Sequence, residues 1–102
     1  MVSLAGKTTA FVLTVVIFVA VVSSARGSRS TTWYDTARCE SSLRWHLSTG
    51  NGYYGGLQFD HWTWGRFGGR RYSYNANGAS PAQQIRVASR VTYDAWPNCP
   101  NP

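Results

Sequence analysis

Residues 39–59 read CESSLRWHLSTGNGYYGGLQF, and the rest of the chain is organised around this stretch. It contains Glu40, the only glutamate among the 102 residues. A carboxylic acid surrounded by aromatic residues has a raised pKa, so it can act as a general acid near neutral pH. The alternative is a solvated surface glutamate, which describes most glutamates in proteins. This stretch by itself leaves both interpretations open.

The chain begins with features of an export signal. Lys7 precedes an apolar run at 10–22, which has the length of a signal-peptide hydrophobic region and is short for a membrane span. Small residues follow at 23–25, so we predict a signal peptide over 1–25. An uncleaved N-terminal anchor is the alternative. Both place the remaining residues outside the cytoplasm, as a secreted or cell-surface protein.

Residues 26–31 are predicted to form a polar linker, and residues 32–102 one small domain. A domain of this size buries a modest part of its surface and gains from a covalent link. Cys39 and Cys99 are the only cysteines, and in an exported chain a disulfide is the default. It would close a loop of about 60 residues and stabilise the fold by roughly 4 kcal/mol. Two cysteines without ligand-spaced partners do not suggest a metal site.

Basic residues dominate the charge. After the leader, nine arginines oppose four acidic residues, which gives a formal charge of +5 against +6 for the whole chain. Outside the cytoplasm such a surface is attracted to anionic cell wall or membrane, and nucleic acid is not an expected partner. The arginines are scattered along the sequence, so general solubility explains them equally well.

An α+β fold with about three helices and a short β-hairpin is predicted. Thr32 and Asp35 form an imperfect capping box for a first helix, which should extend to about Leu43 with Glu40 near its C-terminal end. A carboxylate there is disfavoured by the helix dipole. Asn51-Gly52 and the alternating residues at 57–59 predict the hairpin.

Two further helices have clear start signals. Asp60 is the expected N-cap of a second helix from His61 to about Phe67, ended by two glycines. Ser80 followed by Pro81 begins a third helix, which should end near Thr92 or Tyr93. The residues at 70–79 are predicted to form a loop.

Glycoside cleavage usually requires two carboxylates. Asp35 and Asp60 are better used as helix caps and Asp94 lies in the tail, so a mechanism with one acid fits better. Glu40 would protonate the glycosidic oxygen and then take a proton from the incoming hydroxyl. When that hydroxyl is the muramic acid's own 6-OH, a 1,6-anhydro ring forms and no protein nucleophile is required.

Side chains on the hairpin and second helix are candidate substrate contacts. Tyr53 and Tyr54 could stack on sugar rings or belong to the core. Asn51 and Gln58 can hydrogen-bond acetamido and hydroxyl groups or satisfy the backbone, and Thr63 could supply a polar contact in a cleft.

Four tryptophans are further candidates for stacking on sugar rings: Trp45, Trp62, Trp64 and Trp96. In a domain this small most tryptophans must belong to the core, which we expect for Trp33, Trp45, Trp64 and Trp96. His46 and His61 lack a serine or cysteine partner for catalysis, so we interpret both as solvated surface residues.

Several motifs together carry a family resemblance. They are Cys39-Glu40-Ser41, the run TGNGYYGGLQF at 49–59, Thr63-Trp64, Gly68-Gly69, Gln83-Gln84-Ile85, Arg90-Val91 and Ala95-Trp96-Pro97 with Cys99. With these motifs the chain resembles the catalytic domain of the resuscitation-promoting factors, a transglycosylase-like family of Actinobacteria. The resemblance covers residues 33–99.

The resemblance implies a compact lysozyme-like fold that acts on peptidoglycan. It places the catalytic acid at Glu40, the active-site threonine at Thr63, the disulfide at Cys39 and Cys99, and the glycan cleft at 51–58. Family members are muralytic and promote regrowth of dormant cells. It implies cleavage of the MurNAc-GlcNAc β-1,4 bond in the cell wall by a monomer without a cofactor, and a cell-wall endopeptidase is a candidate partner.

This chain departs from the family pattern in three places, one of which is Tyr34, where the position after Trp33 is usually Asp. Family members usually carry Gly-Gly after Cys-Glu-Ser, whereas this chain has Ser42-Leu43. The segment between Arg90-Val91 and Ala95-Trp96 is about four residues shorter than usual. These departures leave room for a non-catalytic cell-wall-binding or signalling protein on the same scaffold. A cationic membrane-active peptide is a third class, which the structured motifs argue against.

Overall fold

The computed structural model describes residues 29–102, so the expected signal peptide and the first half of the linker lie outside the described residues. The chain divides into two units at residue 30, and all described elements belong to the second. These elements are α1 (Trp33–Ser41), β1 (Tyr53–Tyr54), β2 (Phe59–Asp60), α2 (His61–Arg66) and α3 (Pro81–Ala88), with 3₁₀ turns at Gly69–Arg71 and Ala76–Gly78. The prediction of a small lysozyme-like α+β fold with three helices and a hairpin is confirmed in this part of the chain.

The helices begin where their capping residues predict. The Thr32 backbone N–H donates to Asp35 Oδ2 over 2.8 Å at the start of α1. Asp60 accepts the Thr63 backbone N–H over 3.0 Å at the start of α2. Ser80 begins α3 with a reciprocal capping box and proline in the first turn. Each cap satisfies backbone donors that a helix start otherwise leaves without a partner.

The third helix ends earlier than predicted. α3 stops at Ala88 rather than near Thr92 or Tyr93, because the chain tightens into turns in which Arg90 N–H donates to Val87 O over 3.0 Å. β-branched residues at 91 and 92 favour a helix less than unbranched ones. The freed segment then leads to Trp96, whose burial in the core competes with further helix.

The hairpin forms, but its turn lies later than the Asn-Gly signal. Tyr53 pairs with Asp60 and Tyr54 with Phe59 in antiparallel register, so the connecting turn is residues 55–58. Gly55 at φ 78° and Gln58 at φ 55° supply its left-handed positions. Asn51-Gly52 instead lies in a preceding loop, closed by an isolated antiparallel bridge between Ser48 and Tyr54.

A row of aromatic side chains in successive edge contacts forms the centre of the core. The Trp96 ring meets Trp33 edge-on at a centroid distance of 4.9 Å and Phe59 at 5.5 Å, and Phe59 meets Trp64 at 5.2 Å. The Trp96 indole N–H donates to Leu57 O over 2.7 Å. Trp64 and Trp96 are buried, and Trp33 and Trp45 are half-buried against the same core, as expected for all four.

The backbone of Gly56 joins the hairpin turn to α1 and α3. Its N–H donates to Gln84 Oε1 over 2.9 Å, and its carbonyl accepts the Ser41 hydroxyl over 2.8 Å. A Cβ on Gly56 would collide with the Trp45 indole ring, so only glycine fits there. The fully buried Gln84 amide also donates to Trp45 O over 2.8 Å and to Ala79 O over 3.0 Å.

The disulfide between Cys39 and Cys99 is confirmed, with 5.8 Å between the two Cα atoms. It fastens the C-terminal tail to the residue beside Glu40. None of the helices within residues 29–102 is long and apolar enough to span a membrane.

We expect Gln84→Leu to lower the free energy of unfolding by about 3 kcal/mol or more, because an apolar side chain leaves three buried backbone groups without partners. Gln83→Leu is the matched control on the same helix, and it should cost only about 1 kcal/mol through the lost capping box. Chemical denaturation measures both. Equal losses for the two variants would show that the buried amide does not hold the fold together.

Ser42→Gly should raise the free energy of unfolding by about 0.5–1 kcal/mol. Ser42 has φ 55° and Leu43 φ 63°, so the two residues that replace the family's glycines both adopt left-handed backbone. That conformation costs a non-glycine residue about 1–2 kcal/mol, which outweighs the extra unfolded-state entropy of glycine. Ser89→Gly, at φ −67°, is the control and should destabilise the fold. Thermal unfolding that ranks the variants in the opposite order would contradict this prediction.

Candidate functional site

A continuous groove runs between the hairpin and the C-terminal tail. Its first section has a volume of about 490 Å³ and is lined by Glu40, Asn51, Tyr53, Gln58, Ala95, Trp96, Pro97 and Asn98. Its second section has a volume of about 200 Å³ and adds Phe59, Asp60, Thr63 and Tyr93. Tyr53, Gln58, Ala95 and Trp96 line both sections, so the two form one groove.

The residues directly before and after Glu40 are both fixed by bonds to other parts of the fold. Glu40 is the penultimate residue of α1, between Cys39, which is fixed by the disulfide, and Ser41, which is bonded to the hairpin. The chain then turns sharply through left-handed Ser42 and Leu43. These constraints fix the backbone beneath Glu40 and leave only its side-chain rotamers free.

Partial burial raises the pKa of the Glu40 carboxyl above its usual value of 4.5. The cause is desolvation, which disfavours the charged form. Among residues 29–102 no hydrogen bond or ion pair to this carboxyl offsets the effect. The group is therefore biased toward the protonated form that a general acid requires.

The three aspartates are each engaged elsewhere. Asp35 binds the Thr32 backbone and lies 3.3 Å from the Arg38 guanidinium. Asp60 lines the groove, but its Oδ1 accepts the Thr63 backbone N–H. Asp94 Oδ1 accepts the Trp96 backbone N–H over 3.1 Å. Glu40 is thus the one carboxyl group of the described residues that faces the groove without a structural task.

The hairpin divides its candidate residues between the groove and the core. Tyr53 is half-exposed and lines both sections of the groove, whereas Tyr54 points to the opposite face and packs against the core. This follows from the alternation of side chains along a strand. Gln58 lines the groove while its amide donates to Gly55 O over 2.9 Å. Asn51 accepts the Tyr53 backbone N–H over 3.0 Å and stays exposed at the groove's edge.

Thr63 lies in the second section, beside a residue that the sequence did not single out. Its hydroxyl is 3.2 Å from the Tyr93 hydroxyl, which reaches across from the C-terminal tail. We expected Tyr93 to end the third helix, but the early end of that helix places it over the groove instead.

The tail residues Ala95, Pro97 and Asn98 were missed as groove residues, and Trp96 was a stacking candidate for which we favoured a core role. The disulfide could have indicated them, because Cys99 must lie beside Cys39, and its neighbours then come close to Glu40. Cys39 Sγ lies 3.8 Å from Asn98 O, which shows this proximity.

The interpretation of the two histidines as solvated is wrong for His61. Its Nδ1 lies 2.8 Å from Asn75 Oδ1 and its Nε2 lies 2.6 Å from the Arg70 guanidinium, so both ring nitrogens are engaged. His46 is exposed, although its Nδ1 lies 2.8 Å from Asn77 O. Neither histidine lines the groove.

The family match and the similar proteins all point to one family. The transglycosylase-like domain family matches residues 27–99. The chain is 46% identical over 76 residues to resuscitation-promoting factor RpfB of Mycolicibacterium smegmatis, an alignment that covers 71% of this chain and 21% of that protein. It is 41% identical over 100 residues to resuscitation-promoting factor Rpf1 of Corynebacterium glutamicum, covering 94% of this chain and 50% of that protein. It is 48% identical over 79 residues to resuscitation-promoting factor RpfC of Mycobacterium tuberculosis, covering 74% and 54%.

The chain spans between about a fifth and about half of the length of the curated relatives it matches. The relation therefore concerns this domain and leaves the larger part of several relatives without a counterpart in the chain.

The raised pKa of Glu40 can be measured directly. Because Glu40 is the only glutamate, carbon-13 labelling of glutamate gives a single side-chain carboxyl signal for NMR titration. We expect the folded protein to titrate at higher pH than the same protein in urea. The folded state then binds the proton more tightly, so stability falls as pH rises from the unfolded to the folded pKa.

Glu40→Gln removes this titration and is the matched control. The free energy of unfolding of Glu40→Gln relative to wild type should rise as pH increases from the unfolded to the folded pKa of Glu40. Above the folded pKa, the difference between the two proteins should stay constant. A folded pKa at or below the unfolded one would contradict desolvation of the carboxyl.

Proposed function

Because the chain belongs to the transglycosylase-like domain family that includes the resuscitation-promoting factors, we propose that it cleaves the glycan strands of peptidoglycan. The bond is the β-1,4 linkage between MurNAc and GlcNAc. The observation that carries this proposal is Glu40, a partly buried carboxyl with a raised pKa that faces a groove and has no structural partner among the described residues.

Glu40 acts alone in both proton transfers. It first donates its proton to the glycosidic oxygen while the bond from that oxygen to the sugar's anomeric carbon breaks. The resulting carboxylate then takes a proton from the hydroxyl that attacks the anomeric carbon, which restores the acid. The engagement of all three aspartates supports this single-acid mechanism over one with two carboxylates.

The incoming hydroxyl determines the product. If the 6-OH of the muramic acid attacks, the product is a 1,6-anhydro sugar, and if water attacks, it is a reducing end. We propose the intramolecular route, because attack by the sugar's own 6-OH requires neither a protein nucleophile nor a second carboxylate to position a water molecule. The two products differ in mass by one water, so mass spectrometry of fragments from a defined muropeptide distinguishes them.

The groove offers the contacts that a glycan needs. Tyr53 presents a half-exposed ring to the groove for stacking on a sugar. Asn51 and Gln58 carry amides at its edge, and the Thr63 hydroxyl lies in the second section. We assign these four residues to substrate binding. Tyr54 packs against the core and is better assigned to holding the hairpin in place.

We further propose that the protein acts outside the cytoplasm, at the cell wall, and promotes the regrowth of dormant actinobacterial cells. The relatives are named resuscitation-promoting factors, which supports the regrowth part of this proposal. The disulfide is in keeping with an oxidising compartment. The domain is proposed to work as a monomer, with a cell-wall endopeptidase as a candidate partner.

A non-catalytic glycan-binding role is the second candidate. It is favoured by the hydrogen bond between the Tyr93 and Thr63 hydroxyls, which spans the second section of the groove and leaves the Thr63 hydroxyl engaged. A binding protein would retain insoluble peptidoglycan without releasing soluble fragments.

Glu40→Gln should lower the rate of release of soluble fragments from purified peptidoglycan by at least about 100-fold, the usual contribution of a general acid. Asp60→Asn is the matched control, because it alters the other groove-lining carboxyl and asparagine still caps a helix. It should retain the rate within about tenfold. Thermal unfolding establishes that both variants are folded. Unchanged turnover in Glu40→Gln would end the proposal, and equal losses in both variants would restore a mechanism with two carboxylates.

A further inference from the structure

α2 and the segment that follows it carry two exposed aromatic rings. Trp62 is 78% exposed and Tyr74 is 73% exposed, whereas the four other tryptophans are buried or half-buried in the core. The His61 ring lies between them, 4.6 Å from the Tyr74 ring and 5.9 Å from the Trp62 ring. Leaving a tryptophan this exposed forgoes the stability that its burial would give, and exposed aromatic patches of soluble domains are commonly binding surfaces.

Arg70 completes this surface. Its guanidinium lies 2.6 Å from His61 Nε2, and an arginine can only donate, so Nε2 accepts and the ring proton lies on Nδ1 toward Asn75 Oδ1. The His61 ring is thereby fixed in orientation by two partners. We call the four residues Trp62, His61, Tyr74 and Arg70 the aromatic platform.

Gly65 makes room for Arg70 on the platform. It lies one helical turn after His61 on the same face of α2, and a Cβ added there would lie 2.7 Å from Arg70 Nε. Arg70 can cross the helix and reach His61 only because this position has no side chain. The arrangement of the guanidinium is therefore specific to this packing.

The sequence segment that carries the platform is basic. Residues 61–93 contain five arginines and no acidic residue. Within residues 29–102 none of these five forms an ion pair with a carboxylate. The Arg70 guanidinium beside exposed aromatic rings fits a ligand that carries both sugar rings and anions, because aromatic faces stack on sugars and guanidinium groups bind carboxylate or phosphate in a fork.

We propose that the aromatic platform is a second binding surface, separate from the groove, for an anionic polysaccharide. Trp62 and Tyr74 stack on its sugar rings, and Arg70 binds its carboxylate or phosphate groups. The platform holds the domain on the polymer and takes no part in bond cleavage. This inference does not depend on the proposed activity of the groove.

The test measures dissociation constants for polysaccharide probes by isothermal titration calorimetry. The probes are hyaluronan, which carries carboxylates, a phosphorylated mannan, which carries phosphates, and neutral dextran. Wild type should bind at least one anionic probe and not dextran, and the preferred probe identifies the anion. Failure to bind either anionic probe would overturn the proposal.

Variants of the platform locate the binding. Trp62→Ala and Arg70→Ala should each weaken binding at least about tenfold, while Trp62→Tyr should restore most of it. Arg71→Ala is the matched control, since it removes the same charge from the neighbouring exposed position and should change binding by less than about twofold. Equal losses for Arg70→Ala and Arg71→Ala would show diffuse charge attraction and contradict a built surface.

Gly65→Ala gives a test that a folding defect cannot imitate. Alanine has the higher helix propensity, so the thermal unfolding temperature should not fall, yet its Cβ displaces Arg70 and should weaken binding by several-fold. Excess neutral chito-oligosaccharide should not displace the anionic probe, because it competes only for the groove. Its displacement of the probe would place binding in the groove, and binding to phosphatidylglycerol vesicles in preference to both polysaccharides would assign the platform to membranes. Either result would overturn the proposal.

Discussion

The backbone of Gly56 is the constraint on which the rest of the structure depends. Its N–H is accepted by the buried Gln84 amide of α3, and its carbonyl accepts the Ser41 hydroxyl of α1. The Trp45 indole covers the position where a side chain would begin. One residue thus connects two helices to the hairpin in a domain too small for a large core to fix their arrangement. Its two bonds also leave no buried polar group there without a partner.

The site takes its geometry from this junction. Ser41 follows Glu40 directly, and the turn after Gly56 carries Gln58 into the groove. On its other side Glu40 is tied through Cys39 to the tail, which supplies the far wall. The acid is therefore positioned by covalent and buried bonds to its neighbours, and its own carboxyl remains without a partner. A partner that held the carboxyl by ion pairing would instead have lowered its pKa and disfavoured the protonated form that the proposed chemistry requires.

Local signals in the sequence predicted the helix starts, the disulfide and the groove position of Glu40, because capping, cysteine pairing and the Cys-Glu motif each involve few residues. Predictions that depended on competition with tertiary packing were less accurate. α3 ended early because burial of Trp96 draws the tail away, and this in turn brought Tyr93 to Thr63. The hairpin turn lies at 55–58 rather than at Asn51-Gly52, because glycines at 55 and 56 are needed for close packing. A Cβ added at Gly52 would meet no neighbouring atom. The partners of His61 lie 9 and 14 residues away in sequence, and no periodic pattern indicates them.

The short helix α2 separates two surfaces of different electrostatic character. Thr63 faces the groove, which is lined by Glu40 and Asp60, while His61 and Gly65 support the platform and its arginine. The segment 61–93 has no acidic residue to neutralise its five arginines, so a polyanion is drawn to the platform side of the helix rather than to the carboxylates of the groove. A single six-residue helix can serve both surfaces because adjacent residues point about 100° apart around its axis. The proposed attachment and the proposed cleavage then use different sides of α2, and a polymer held at the platform leaves Glu40 in the groove accessible.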